Sequence, residues 1–471
     1  MYANMNGAPG VWQRSRMHVV MALFLICLLI PYMIYYSNRN IITAAIPYLV
    51  DHGVLTQKTF AWMQTCSYGT MIVAKFSMGL LLTAMSNQLS HRIAVFGGFI
   101  SLIGLSLVTI SVCTMSGLQG QKLAIAFVLC FAAIKLISSV IRPLLLSIIH
   151  IGITSRMVYA RDSRSTNRFL GWMSSLLQCL SCVGDVLGKL TFSGLITDDR
   201  FRRWAQNCTQ PSWTLAFITL GSMSITSVLL PLIGLSFLKN RKHVGEGEET
   251  SLRKHDATNW RALLKTLFSN ARLLLLLLCN AVSGFCSVAS GSYAVHFYRF
   301  ALGFDSIYVT RLDSISPICI AVGIMTVTFS IQRFLPTARK MLCLLIAIAV
   351  ADTILLYSLR SVLERDSFTN DTRIIVAIFI AHQAVYFSFA AVLDGLAVTY
   401  LIPGAYIAPT TGIISAFSYL GGFTAPFILY RWVSTPVGWK IIFGIVSWLL
   451  LANVGLLAIM SIFLYKRRLD Q

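Results

Sequence analysis

The stretch Lys239–Arg272, KNRKHVGEGEETSLRKHDATNWRALLKTLFSNAR, is the only long hydrophilic run in this chain of 471 residues. On either side the sequence falls into apolar blocks close to or longer than the roughly 20 residues that a helix needs to cross a 30 Å hydrocarbon core. Six blocks precede the run, at approximately 19–50, 60–85, 93–115, 123–150, 169–196 and 212–237. Six follow it, at approximately 273–298, 308–330, 341–358, 374–402, 405–430 and 439–465. The expected fold is an all-α membrane protein with twelve transmembrane helices in two six-helix halves. The halves are 1–237 and 273–471, joined by a linker at 238–272.

Composition points the same way, because 56% of the residues are hydrophobic and only 12% are charged. A soluble fold of that balance would lack the polar residues to cover its surface. The formal charge of +21 could serve nucleic acid, anionic lipid or cytoplasmic loops, and its distribution decides among them. Alternate loops carry about 21 Lys and Arg on the side of the two termini and about 11 on the other, with about six inside helices. The positive-inside rule therefore predicts an integral, multi-pass protein with both termini in the cytoplasm. Nucleic acid is excluded as a partner, since no soluble domain remains to display the charge. Both acceptor sequons, Asn207-Cys208-Thr209 and Asn370-Asp371-Thr372, fall in predicted external loops, at Thr197–Pro211 and Leu359–Arg373.

The eleven cysteines lie almost all inside apolar blocks, and Cys208, in a predicted external loop, has no partner there. No disulfide framework is expected. Cys179 and Cys182 form a lone CxxC inside a predicted helix without a second pair, so no metal site is expected either. Met1–Met17 is polar and precedes an apolar block too long for a signal-peptide core, so the first helix reads as an uncleaved anchor. Two halves joined by a cytoplasmic linker match the pattern of parallel repeats around a midplane site. A weak echo supports it: Gly79–Arg92 after the second helix and Gly323–Lys340 after the eighth are both basic loops at equivalent places.

The first two helices carry a more specific pattern: Tyr35-Tyr36-Ser37-Asn38-Arg39-Asn40, then Ile46-Pro47-Tyr48-Leu49-Val50, Tyr68, Lys75-Phe76, Gly79 and Ser90-His91-Arg92. Near the end, Ile413–Phe423 closes on Leu-Gly-Gly-Phe, and Trp439 follows. Over residues 32–105 and 410–445 the chain resembles the organophosphate:phosphate antiporter branch of the major facilitator superfamily. That branch holds the bacterial glycerol-3-phosphate and hexose-phosphate transporters and the animal glucose-6-phosphate transporter. The resemblance implies transport by alternating access, with helices 1 and 4 on a central cavity. The chain also departs from the pattern. Asn40 stands where the branch commonly has Lys, Asn87 replaces a usual acidic residue, and Ser287, Ser292 and Tyr293 occupy places the branch gives to a basic residue and an Asp-Trp pair.

An ionised side chain at bilayer depth costs roughly 2.5–3.5 kcal/mol on insertion scales, so each needs a partner, a wet cavity or a function. Arg39 lies about 17 Å, and Lys135 about 18 Å, from the outer ends of their helices at 1.5 Å per residue. Both are therefore near the midplane. Tyr32, Tyr36 and Arg39 share one helix face, as do Lys135, Ser138, Ser139 and Arg142. Lys75 shares a face with Gln64, Tyr68 and Met71. Arg39, Tyr36, Lys75 and Lys135 are thus the candidate substrate-binding residues.

Arg142 and Lys189 lie nearer helix ends, where snorkelling or structural pairing suffices, and Asp185 with Lys189 at i, i+4 can neutralise each other. Asp313, where the resemblance has an acidic residue in helix 8, and His382, a titratable side chain on helix 10, are the candidates for coupling or gating. A hydrogen-bonded packing role is nevertheless favoured for His382, as it is for Asp352 on a peripheral helix 9.

The function expected is secondary transport of a small organic anion, of the kind of a sugar phosphate or glycerol phosphate, across a lipid bilayer by a monomer. The alternative is a proton-coupled carrier of a neutral or zwitterionic metabolite. No Walker-type phosphate loop, HExxH or GxSxG is present, so neither nucleotide-driven pumping nor an enzyme is expected, and no cofactor is implied.

Overall fold

The computed structural model describes residues 11–84, 88–154, 163–208, 210–239, 269–334, 338–364, 368–396 and 407–469. Twelve long helices run through it. In the first half, α1 spans Val11–Asp51, α2 Gln57–Ala84, α3 Leu89–Met115, α4 Gly120–Thr154 and α5 Ser163–Thr197, while α6 is built from Ser212–Ser227 and Leu229–Lys239. In the second half, α7 begins as Ala271–Ser287 and continues through two π-helical stretches, Val288–Ser292 and Phe297–Ala301. Then α8 comprises Ser306–Asp313 and Ile315–Phe334, α9 spans Ala338–Glu364, α10 Phe368–Leu396, α11 Ile407–Leu429 and α12 Pro436–Leu469. Of the expected linker, residues 240–268 lie outside the described residues, as does Asn87.

Two sequence expectations are corrected. The predicted loop Thr197–Pro211 contains a helix, Asp199–Asn207, whose N-cap Asp198 accepts from the amides of Arg200 and Phe201. A carboxylate placed there satisfies two amides that the helix itself leaves open. The predicted loop Leu359–Arg373 is shorter than expected, because α9 continues to Glu364 and α10 starts at Phe368. The sequon at Asn370 thus sits on a first helical turn and not in a loop.

Eleven of the helices are long and apolar enough to cross a membrane. In a hydrocarbon medium every backbone amide must bond within its own segment, which is why helices carry the whole architecture. Large apolar side chains such as Tyr357, Trp448 and Ile462 are 72%, 73% and 67% exposed, a surface that only lipid would solvate. The twelfth, α2, is 28 residues long but carries Gln57, Lys58, Gln64 and Lys75, because one of its faces lines the interior.

Within the first half α1 packs on α5, α2 on α4 and α3 on α6, and in the second α7 packs on α11 and α9 on both α10 and α12. The halves meet along α2–α11 and α5–α8. The α1–α5 contact depends on Gly184 and Gly188, where a Cβ would overlap the backbone of Met33 and Ser37 respectively. Small residues four apart allow two membrane helices this approach, and it brings the intervening Asp185 and the adjacent Lys189 toward α8.

Candidate functional site

A cavity of ≈ 130 Å³ lies between the halves. Arg39 on α1, Gln64, Ser67, Tyr68 and Met71 on α2, and Lys135 on α4 form one wall, while Gly284 and Ser287 on α7 with Ser418 and Tyr419 on α11 form the other. The α2 residues recur at i, i+3, i+4 and i+7, one face of a helix. Both charges come from the first half, and the second half contributes only small or polar neutral groups.

The cations are held by neutral neighbours. The guanidinium of Arg39 lies 5.1 Å from the centre of the Tyr36 ring, a cation–π contact. Tyr36 in turn packs on Tyr32 and Tyr35, with ring centres 5.1 and 4.7 Å away, and the Tyr35 hydroxyl donates to the carbonyl of Ser138 at 3.2 Å. Lys135 Nζ donates to Asn40 Oδ1 at 3.1 Å and sits over the Phe131 ring at 5.0 Å. A lysine at position 40 would repel Lys135, whereas Asn40 orients it. Among the described residues no carboxylate makes an ion pair with Arg39 or Lys135, although the field of Asp185 reaches Lys135. Arg39 Nε and Gln64 Nε2 are buried donors without an acceptor. Positive charge and unpaired N–H groups thus occur together on residues that line the cavity.

On the side away from the chain termini, three layers close the halves over this cavity. Deepest, Lys189 Nζ lies 2.8 Å from Asp185 Oδ2 and 2.6 Å from Asp313 Oδ2, tying α5 to α8. Above it the Thr310 hydroxyl donates to the Ala44 carbonyl at 3.2 Å. At the rim Arg299 pairs with Asp51 at 3.1 Å, and Ser306 donates to the same carboxylate. Phe60 on α2 stacks on His296 of α7 at 4.9 Å and meets Tyr293 edge-on at 5.5 Å, which adds an aromatic contact between the halves.

The predicted site residues are thus distributed. Arg39 and Lys135 line the cavity, and Tyr36 stands behind Arg39. Lys75 is not among the lining residues; its carbonyl backs onto Gly412 of α11, where a Cβ would come within 2.9 Å. Asp313 lies in the closure and shares Lys189 with Asp185, so the expected i, i+4 pair is a three-residue bridge between halves. His382 lies on neither wall but is buried against Asp352 and Ser290. Arg142 donates to Gln178 at 2.6 Å, the structural pairing expected of it. Ser418 and Tyr419 were not expected in the site. A signal was available: two adjacent polar residues just before Gly421, where a Cβ would overlap the Ala281 backbone of α7.

No family model matches the sequence, and no curated protein matches it either. Solved structures do. The chain aligns over 94% of its length, and 96% of the other, with a bacterial homolog of the human lysosomal transporter Spinster in an inward-facing state, at TM-score 0.61 and 14% identity. It aligns with the nucleoside transporter NupG over 93% and 98% at TM-score 0.59 and 14% identity. A bacterial homologue of the iron transporter ferroportin, outward-facing, gives 93% and 99% at TM-score 0.57 and 13% identity. At such identities the likeness establishes the fold alone, and that fold is the major facilitator arrangement of two six-helix halves around a central cavity.

Proposed function

We propose that this protein is a secondary active transporter that binds a small organic anion in the central cavity and moves it by alternating access. One observation carries the reading: Arg39, Lys135 and Gln64 line one cavity, while among the described residues no carboxylate pairs with either cation. Buried charge without a partner is costly, and an anionic ligand would supply both the counter-charge and the missing acceptors. A neutral cargo would leave both cations uncompensated, which disfavours the alternative reading. The volume lies below the roughly 300 Å³ at which drug-sized pockets begin, so the ligand is compact, of the class of glycerol phosphate or a sugar phosphate. Resemblance to the organophosphate antiporters supports that class, and the layered contacts opposite the termini supply interactions that two rocking halves would make and break. The charge distribution supports cytoplasmic termini.

The test is a panel of phosphorylated and unphosphorylated metabolites, screened by thermal shift on purified protein and followed by counterflow into phosphate-loaded vesicles. A ligand that binds only the folded state raises the unfolding temperature. Stabilisation by anions that disappears in Arg39→Ala is expected. Stabilisation by neutral metabolites, unchanged in Arg39→Ala, would overturn the reading.

A further inference from the structure

Away from the cavity, three side chains from three helices form a continuous chain inside the second half. His382 Nδ1 on α10 lies 2.6 Å from Asp352 Oδ1 on α9, and His382 Nε2 lies 2.8 Å from Ser290 Oγ on α7. Asp352 and His382 are both 0% exposed. As a carboxylate Asp352 can only accept, so Nδ1 carries the hydrogen and Nε2 is the variable position. The second oxygen, Asp352 Oδ2, is buried with no partner. With a neutral imidazole the pair would hold one uncompensated negative charge in an apolar environment, and one further proton cancels it.

The groups facing the pair offer no other counter-charge. Cys286 on α7 is close enough to feel Asp352, and Tyr386 on α10 lies 6.1 Å from the His382 ring with its hydroxyl donating to the Ser283 carbonyl. Tyr293 and His296, further along α7, are not bonded to the pair. Neither α8, packed on α10, nor α12, packed on α9, contributes an ion-pair partner among the described residues.

We infer that Asp352 and His382 form a proton-binding site whose occupancy is transmitted to the cavity wall through the π-helical segment Val288–Ser292. The inference rests on the transport reading and names its coupling element. In the deprotonated state the Ser290 hydroxyl donates to Nε2. When a proton binds at Nε2 the bond reverses: Nε2–H donates to Ser290 Oγ, and the Ser290 hydroxyl hydrogen must turn elsewhere. A carbonyl of the preceding turn is the usual recipient for a helical serine, so the displaced hydrogen acts on the backbone of α7. That backbone is already irregular, and π-helical turns concentrate at functional sites. The Ser290 carbonyl is also held, accepting from Gln383 Nε2 at 2.6 Å. One turn earlier Ser287 lines the cavity, and Ser292 Oγ lies 3.4 Å from the hydroxyl of Tyr68, another lining residue. The proton site therefore stands directly behind the neutral wall of the cavity.

The test needs no substrate. In purified protein with nitrogen-15 histidine, the His382 signal, identified by its loss in His382→Gln, is followed between about pH 5 and pH 9, the range in which histidines titrate. Amide exchange of residues 283–301 is measured in the same range and corrected for the intrinsic effect of pH. The expected result is that Nε2 switches from acceptor to donor while exchange in 288–292 changes with it. Asp352→Asn, which keeps size and hydrogen bonding, should remove both responses. Ser290→Ala should keep the His382 titration and lose the exchange response. Arg39→Ala should keep both, so failure of the anion reading and failure of the proton site are told apart. A His382 that holds one protonation state throughout, or an exchange response that persists in Ser290→Ala, overturns the inference.

Discussion

The two clusters of interior charge differ in one respect. At the closure Lys189 meets two carboxylates, Asp185 and Asp313, one from each half. In the cavity Arg39 and Lys135 meet rings, an amide and, among the described residues, no carboxylate. A cation already matched by protein has no charge left to offer a ligand, and its role is to hold helices together. A cation supported only by neutral groups keeps its charge available. Compensation, and not depth alone, separates a latch from a binding residue.

Lys189 should give the largest effect. Removing it leaves two carboxylates side by side in the interior, and loss of one member of a buried ion cluster costs about 3–5 kcal/mol. Lys189→Ala should therefore lower the thermal unfolding midpoint sharply, and adding Asp185→Asn and Asp313→Asn should restore most of it. If Lys189→Ala unfolds like wild type, the bridge is not a latch.

Arg39 tests the other cluster. A guanidinium can give an anion two parallel hydrogen bonds that an ammonium cannot, and a charge-assisted bond is worth roughly 1.5–3 kcal/mol. Arg39→Lys should then weaken anion binding about tenfold to a hundredfold, measured by titration calorimetry with the best ligand of the panel, with the unfolding midpoint of the free protein almost unmoved. Equal losses of stability at Arg39 and Lys189 would erase the distinction.

Asn40 gives a smaller effect. It acts on the anion only indirectly, by orienting Lys135 through one bond, so about 1 kcal/mol, less than the full worth of a charge-assisted bond, is lost and Asn40→Ala should weaken the same anion about fivefold. An affinity unchanged in that variant would mean that Lys135 needs no orienting partner. Smallest of all is the rim. Asp51 and Arg299 are 25% and 30% exposed at their side chains, and pairs with access to solvent contribute about 0–1 kcal/mol. Asp51→Asn should hardly alter the midpoint, and its effect should appear as faster labelling of a single cysteine placed at Ala44.

Much of this was legible in the chain. Twelve apolar blocks, the hydrophilic interruption and the depth of Arg39 and Lys135 follow from hydropathy and helical rise, which are local properties. The boundaries were less so: the helix at Asp199–Asn207 is too short and too polar for a hydropathy reading, and only its Asp198 cap announced it. For Lys75, a shared face with Gln64, Tyr68 and Met71 suggested a cavity position, yet the close approach of α11 at Gly412 takes that part of α2 into the contact between the halves.

The number of helices, their grouping into two sixes and the presence of interior cations are readable from the chain, because hydropathy and charge are local properties. The sequence could not say which cation was matched. Lys189 and Asp313 lie far apart in the chain, as do Lys135 and Asn40, and His382 with both Asp352 and Ser290. Whether such groups meet depends on how helices rotate and approach, which is set by packing at places such as Gly184 and Gly188. The tertiary structure shows that Lys189 is held by Asp185 and Asp313, that Arg39 has no carboxylate partner among the described residues, and that Asp352, assigned to packing, bonds His382, which in turn meets Ser290.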